Sequence, residues 1–173
     1  MSAGEYKHRK LLILRHGKSD WSKNVDDFDR PLKKRGVLAA AKIGYWINNN
    51  RSLNPDLILS SPARRAISTA TIVAEMIDGL KPEIDDRIYE SGLDKMLTLI
   101  ADLPETVHCP VIVGHNPCLE ELLQHMADVP KTYYKDSKLL TTGTLAILKF
   151  PFPWDRIRAE KGRFKDLIRG RDL

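Results

Sequence analysis

Three short apolar runs alternate with segments of helical periodicity, and this alternation restricts the folds open to the chain. The runs cover residues 11–14, 57–59 and 111–113. Runs of this length bounded by polar residues are typical of fully buried strands. Strands separated by amphipathic helices form βαβ units. The sequence therefore predicts an α/β fold, a three-layer sandwich whose mostly parallel central sheet carries helices on both faces.

Apolar residues at helical spacing and capping signals predict the elements between these strands. Ser61-Pro62 and Asn116-Pro117 each combine a capping residue with a proline suited to the first helical position. In chain order the predicted elements are a helix at 34–49, a helix opened by Ser61-Pro62, a strand at 83–84, a helix at 92–103 and a helix from Asn116-Pro117 to about residue 126.

The C-terminal part of the chain predicts an antiparallel edge to the sheet. A loop over residues 129–142 precedes a weakly alternating strand at 144–150, and residues 164–168 are expected to pair with it antiparallel. The sequence contains no internal repeat and no linker. At 173 residues it is long enough to bury a sizeable core. We therefore expect a single domain over residues 1–173.

Composition and charge exclude several classes of protein. The net charge is +5, but acidic residues interrupt the basic cluster at 156–171 and no aromatic stacking platform accompanies it. This favours a solvated basic tail over a nucleic-acid partner. No apolar run approaches the ~20 residues of a membrane span, so no membrane partner is expected. With a polar N-terminus and only Cys109 and Cys118, the sequence is typical of a cytoplasmic protein. It does not specify an oligomeric state.

Polar residues follow each of the three predicted strands directly. Because parallel strands share a direction, these residues are expected at one edge of the sheet, where α/β proteins bind ligands. Helix N-termini beginning there would add backbone N–H groups suited to phosphate. The residues at the three strand ends are Arg15-His16, Ser60-Ser61 with Arg64-Arg65, and Gly114-His115. Two histidines and several arginines around one point predict a site for a small anion.

Three motifs, in this order, resemble the histidine phosphatase superfamily, also called phosphoglycerate-mutase-like. The segment LRHGKSDW at residues 14–21 resembles its opening signature, and SSPARRAISTA at 60–70 resembles its second arginine motif. VGHNP at 113–117 resembles its second histidine motif. The short chain and the segment Arg30-Pro31-Leu32 resemble the SixA-like phosphohistidine phosphatase branch. The resemblance spans essentially the whole chain.

The resemblance implies a role for each motif residue. His16 is expected to be the nucleophile, which forms a phosphohistidine that water hydrolyses. Arg15 and Arg65 are expected to clamp the phosphoryl oxygens bidentately, and the cation of Arg15 to keep His16 unprotonated. Protonated His115 is expected to donate a hydrogen bond to the phosphoryl group. Arg64 is expected to be a solvated helix residue.

Two positions depart from the mutase pattern and leave alternatives open. Ser22 stands after Trp21, where mutases commonly carry a phosphate-binding asparagine. Either Ser22 or Arg30 then supplies that contact, although Arg30 is equally expected to pair with Asp27 or Asp29.

The general acid also has two candidates. Glu90 matches the position where many superfamily members place their acid, and Asp27 is its rival; the alternative for both is a surface carboxylate. A phosphorylated imidazole is easier to cleave than an alkyl ester, so a weak acid would suffice for a phosphohistidine substrate.

The expected enzyme needs no metal and no cofactor. His108, Cys109, His115 and Cys118 lack the spacing of zinc ligands. The leading hypothesis is a phosphatase, that is a hydrolase, acting on phosphohistidine in a phosphorylated protein or on a small phosphorylated substrate. The alternatives are a mutase of small phosphate monoesters, which the short chain argues against, and a non-catalytic module that binds phosphorylated partners.

Overall fold

The computed structural model describes residues 8–77 and 79–173, which form six strands and four α-helices. The strands are β1 (Arg9–Arg15), β2 (Leu57–Ser60), β3 (Pro82–Ile84), β4 (Pro110–Gly114), β5 (Thr144–Phe150) and β6 (Arg163–Arg169). The helices are α1 (Lys34–Asn49), α2 (Arg64–Met76), α3 (Leu93–Ala101) and α4 (Cys118–Met126). No helix within these described ranges has the length and apolar character to cross a bilayer.

The strands make one sheet in the order β3-β2-β4-β1-β5-β6. Neighbours among β1 to β4 pair in parallel, whereas β5 pairs antiparallel with both β1 and β6. Helices α1, α2 and α3 connect β1 to β4 in chain order, and the final two strands form an antiparallel pair at the edge. The prediction of a mostly parallel sheet with an antiparallel C-terminal edge is confirmed.

Alternate residues of β1 face two separate apolar layers. Leu11 and Ile13 pack in the layer that contains the apolar faces of α3 and α4. Leu12 and Leu14 pack in the layer that contains those of α1 and α2. All four side chains are 0% exposed, and burying each contributes about 2 kcal/mol. The strand that carries His16 at its end is therefore held from both faces.

A close approach between two glycines fixes the backbone just after β1. A Cβ atom at Gly17 would lie 2.6 Å from the carbonyl oxygen of Gly36, and one at Gly36 would lie 2.4 Å from that of Lys18. Only glycine lets the loop pack this tightly on the first turn of α1. The peptide N–H of Gly17 also donates to the Thr69 hydroxyl in α2, at 3.0 Å.

Two helices begin later than their capping signals predict. Helix α2 begins at Arg64, because the Ser61 peptide N–H extends the strand by donating to the Val113 carbonyl, at 3.0 Å. Helix α4 begins at Cys118, and the Asn116–Pro117 peptide bond is cis. The Asn116 side chain does not cap the helix, because its amide nitrogen donates to Glu120 and to a loop carbonyl.

Candidate active site

The parallel register brings the three strand ends to one edge of the sheet. Arg15 pairs with Gly114, and Ser60 pairs with Val113. The peptide N–H of His16 donates to the Gly114 carbonyl at 3.0 Å. The imidazole centroids of His16 and His115 consequently lie 5.0 Å apart. The two rings are therefore close enough to contact the same small anion at this edge.

His16 is held as a neutral imidazole with a defined tautomer. Its side chain is buried, and Nδ1 lies 2.7 Å from the carbonyl oxygen of Gly17. Because a carbonyl only accepts, Nδ1 carries the hydrogen and Nε2 keeps its lone pair. Burial lowers the pKa of His16 to about 3; the hydrogen bond to Gly17 opposes this shift, and the charges of His115, Arg65 and Arg15 add smaller lowering contributions. The sequence assigned this effect to Arg15, whereas burial is the main cause.

His115 is also neutral in this site. Burial, followed by the charge of Arg65, lowers its pKa to about 4. These surroundings favour a neutral His115 over the protonated form expected from the resemblance. Its Nε2 atom lies 2.7 Å from the Ser61 hydroxyl, and its ring stands edge-on to Tyr89 with centroids 5.7 Å apart.

The guanidinium groups of Arg15 and Arg65 flank the histidines. Arg65 is buried at the start of α2, whereas Arg64 beside it is exposed, as expected. Arg15 donates to the Leu140 carbonyl at 2.7 Å. Burial lowers the pKa of Arg15 although Glu120 opposes the shift. A guanidinium has five N–H donors, so each arginine keeps donors for a ligand.

Asp27 joins two buried arginines in the loop before α1. Arg65 donates to the Asp27 main-chain oxygen at 2.5 Å and to Oδ2 at 2.9 Å. Arg30 forms an ion pair with the same carboxylate and stacks over the Trp21 ring, 3.5 Å from its centroid. Of the alternatives for Arg30, the structure thus shows the ion pair with Asp27.

The ionisation of Asp27 makes it a poor proton donor. Burial acts to raise its pKa, but the hydrogen bond and charge of Arg65 and the charge of Arg30 outweigh burial, so the pKa is lowered. The Tyr89 hydroxyl donates to Oδ2 at 3.4 Å. An acid role for Asp27 therefore conflicts with its surroundings.

Ser22 and Glu90 lie outside the contacts that join the histidines and arginines. Ser22 is exposed, and its hydroxyl donates to Asp20 at 2.7 Å. Glu90 is exposed with a φ of 48°. Within residues 8–77 and 79–173, neither side chain makes a hydrogen bond to a histidine or arginine of the site. The structure gives no support to Ser22 as a phosphate ligand or to Glu90 as the acid.

Glu120 and Tyr89 are supporting residues that the sequence did not reveal. The Glu120 carboxylate accepts from the peptide N–H groups of Leu139 and Leu140, at 3.2 and 3.0 Å, and thereby fixes the carbonyl that Arg15 contacts. A lone glutamate in a helix and a lone tyrosine carry no spacing signal. Their roles depend on contacts distant in sequence.

The chain is similar to a known protein family and to solved structures with the same fold. The model of the histidine phosphatase superfamily (branch 1) matches residues 11–108. A candidate phosphohistidine phosphatase SixA from Agrobacterium tumefaciens has 28% identity and a TM-score of 0.74, covering 92% of this chain and 97% of that one. The protein histidine phosphatase SixA complexed with tungstate shares the fold, with 18% identity, a TM-score of 0.77, and 95% and 99% coverage.

A second kind of relative matches a shorter stretch of the chain. A 2,3-bisphosphoglycerate-dependent phosphoglycerate mutase from Bifidobacterium longum is 40% identical over 75 residues. These residues make up 41% of this chain and 30% of the mutase. The likeness to the mutase is therefore local, whereas the likeness to the SixA structures covers nearly the full chain.

Proposed function

The chain belongs to the histidine phosphatase superfamily, which supports a phosphatase activity, and we propose that it hydrolyses phosphohistidine in proteins through a covalent intermediate on His16. The observation that carries this proposal is the hydrogen bond of His16 Nδ1 to the Gly17 carbonyl. It leaves the Nε2 lone pair free to attack phosphorus, and burial keeps the ring unprotonated.

The transfer proceeds in two displacements. Nε2 of His16 forms a P–N bond while the bond from phosphorus to the leaving group breaks and the leaving atom takes its electron pair. Water then attacks phosphorus, the P–N bond breaks, and its pair returns to Nε2. One water hydrogen stays on the new phosphate hydroxyl and the other passes to a phosphate oxygen.

The surrounding cations supply the electrostatic part of catalysis. Phosphoryl transfer spreads charge over three equatorial oxygens, so positioning and positive charge matter most. Arg15 and Arg65 offer planar donors to these oxygens. Neutral His115 adds a ring N–H donor. Neither displacement uses a metal ion, and the described residues contain no cluster of three or more His, Cys, Asp or Glu side chains arranged for a metal.

Phosphohistidine is proposed as the substrate because the described part of the site lacks a suitable proton donor for a leaving group. Cleaving an alkyl ester produces an alkoxide, which needs an acid. Among the described residues Glu90 makes no hydrogen bond to a histidine or arginine of the site, and Asp27 is held ionised. Imidazole leaves without that help when its other ring nitrogen is protonated. The SixA relative from Agrobacterium tumefaciens supports the same choice.

Small phosphate monoesters are the second candidate substrates. The local identity with the Bifidobacterium longum mutase favours them. The test incubates the purified protein, with EDTA present, with a phosphorylated histidine-containing phosphotransfer protein and separately with 3-phosphoglycerate. We expect turnover of the phosphoprotein to be faster.

The nucleophile is tested in the same assay. His16→Ala is expected to abolish turnover, and acid-labile phosphate should be trapped on His16 of the unmodified protein. His125→Ala removes an exposed histidine of α4 and serves as the matched control. Faster turnover of 3-phosphoglycerate would overturn the substrate assignment. Absence of all turnover by the folded protein would favour a phosphate-binding module, and activity surviving in His16→Ala would exclude the nucleophile.

A further inference from the structure

We propose that Asp27 is a specificity-determining residue that recognises the leaving group, accepting a hydrogen bond from the protonated ring nitrogen of a phosphorylated imidazole and repelling anionic leaving groups. The inference rests on the proposed function and goes beyond it, because it assigns the choice of substrate to one carboxylate. Asp27 then acts as an acceptor rather than as the missing acid.

The carboxylate lies beside the reacting groups. Its Oδ2 atom is 2.9 Å from Arg65, and 3.4 Å from the Tyr89 hydroxyl. The Tyr89 ring contacts the His115 ring, which in turn lies 5.0 Å from His16. A short chain of contacts therefore connects His16, through His115 and Tyr89, to the Asp27 carboxylate.

Exposure decides which charge an approaching substrate meets. The side chains of Arg30 and Arg65 are 8% and 7% exposed, whereas that of Asp27 is 49% exposed. Both guanidinium groups donate N–H groups to the Asp27 carboxylate. Toward bulk solvent, little of either guanidinium is therefore exposed, whereas much of the carboxylate is. A second negative charge on the substrate would face it, and like charges at close range repel.

Aromatic rings complete the surface around the carboxylate. Phe28 is 40% exposed and stands edge-on to Tyr89, with centroids 5.3 Å apart. Trp21 is 69% exposed and carries the Arg30 guanidinium on its face. Aromatic faces next to an anion fit a flat cationic ring through cation–π attraction and ion pairing. A protonated phosphoimidazole has this shape and charge, and a phosphoglycerate does not.

Transfer of the phosphoryl group from an imidazole to His16 requires no general acid. One ring nitrogen of the leaving imidazole carries the phosphoryl group and the other carries a proton, which donates to Asp27. When His16 forms its P–N bond, the old P–N bond breaks and its electron pair stays on the departing nitrogen. The imidazole leaves neutral, keeping the proton it arrived with. Asp27 stabilises the protonated, reactive form of the substrate.

The test compares Asp27→Asn with the unmodified protein on three substrates: phosphoimidazole, p-nitrophenyl phosphate and 3-phosphoglycerate. Arg65 also donates to the main-chain oxygen of residue 27. This hydrogen bond does not depend on the Asp27 side chain, so it remains in the variant and holds the arginine. Asp29→Asn changes an exposed carboxylate of the same loop and is the matched control. Circular dichroism checks folding.

We expect Asp27→Asn to lower kcat/KM for phosphoimidazole at least tenfold relative to p-nitrophenyl phosphate, and to leave 3-phosphoglycerate unchanged or faster. The Asp29→Asn control should change none of the ratios. An equal loss on all three substrates would overturn the inference, because it would show that Asp27 only positions Arg65. Failure of the unmodified protein to cleave phosphoimidazole and phosphohistidine would instead overturn the proposed function.

Discussion

The Nε2 atom of His115 lies 2.7 Å from the hydroxyl oxygen of Ser61, a fully buried side chain that follows β2. The same oxygen accepts from the Ala63 peptide N–H at 3.3 Å, so the hydroxyl hydrogen is available to donate to Nε2. With Ser61 as the donor, neutral His115 carries its own hydrogen on Nδ1, a buried atom with no hydrogen-bond partner among the described residues.

Ser61→Ala is expected to lower kcat about five- to tenfold, because one hydrogen bond worth about 1 kcal/mol fixes the tautomer of His115. The ¹⁵N chemical shifts of the His115 ring should show mixed tautomers in the variant, and Ser61→Thr should restore both readouts. Ser60→Ala removes an equally buried hydroxyl that contacts only a main-chain oxygen. Equal decreases of kcat in the two alanine variants would show that Ser61 contributes only by packing.

Arg65→Lys is expected to lower kcat/KM about a hundredfold for every phosphate substrate. Lysine lacks the planar fork that binds two phosphoryl oxygens, and losing one such donor in a site of this kind costs about 3 kcal/mol. Arg64→Lys makes the same change at the exposed neighbouring position and should retain activity. Steady-state kinetics of the two variants measure the difference. Similar activity in both would show that Arg65 does not contact the transferring group.

The sequence predicts the parts of this site that strands create and misses the parts that distant contacts create. His16 and His115 were predictable because each follows a buried apolar run. The parallel register of those strands then brings the two histidines to the same edge of the sheet. The pairing of Arg65 with Asp27 joins residues 38 positions apart, and that of His115 with Ser61 joins residues 54 apart. Neither pair has a local spacing signal. Burial, which sets the charge of both histidines, is likewise a property of the assembled fold.

Acid is expected to destabilise the protein through its two buried histidines. Their pKa values are about 3 for His16 and about 4 for His115 when folded, against 6.5 for an ordinary histidine. Below pH 6.5 the unfolded chain takes up protons that the folded chain refuses. The free energy of unfolding therefore has its full value above pH 6.5. As the pH falls below 6.5 towards the folded pKa values, it decreases by about 1.4 kcal/mol per pH unit for each histidine.

Denaturant unfolding at pH 7 and pH 5 measures this loss, and His16→Gln should reduce it by about half. The carboxylate of Asp27 has a lowered pKa and titrates below this window, so it does not obscure the result. Equal stability of the unmodified protein at the two pH values would show that the histidines are not held neutral.

Gly36→Ala tests whether the contact between α1 and the loop after β1 supports the nucleophile. Alanine favours a helix by about 1 kcal/mol over glycine, but its Cβ would lie 2.4 Å from the Lys18 carbonyl oxygen, a backbone atom that cannot turn aside. We expect a net loss of about 1–3 kcal/mol and a lower kcat, because the shifted loop carries His16. Gly92→Ala is the control, since a Cβ there meets nothing within 4 Å. Thermal unfolding and kinetics should separate the two variants, and equal stability and activity in both would show that the loop yields without moving His16.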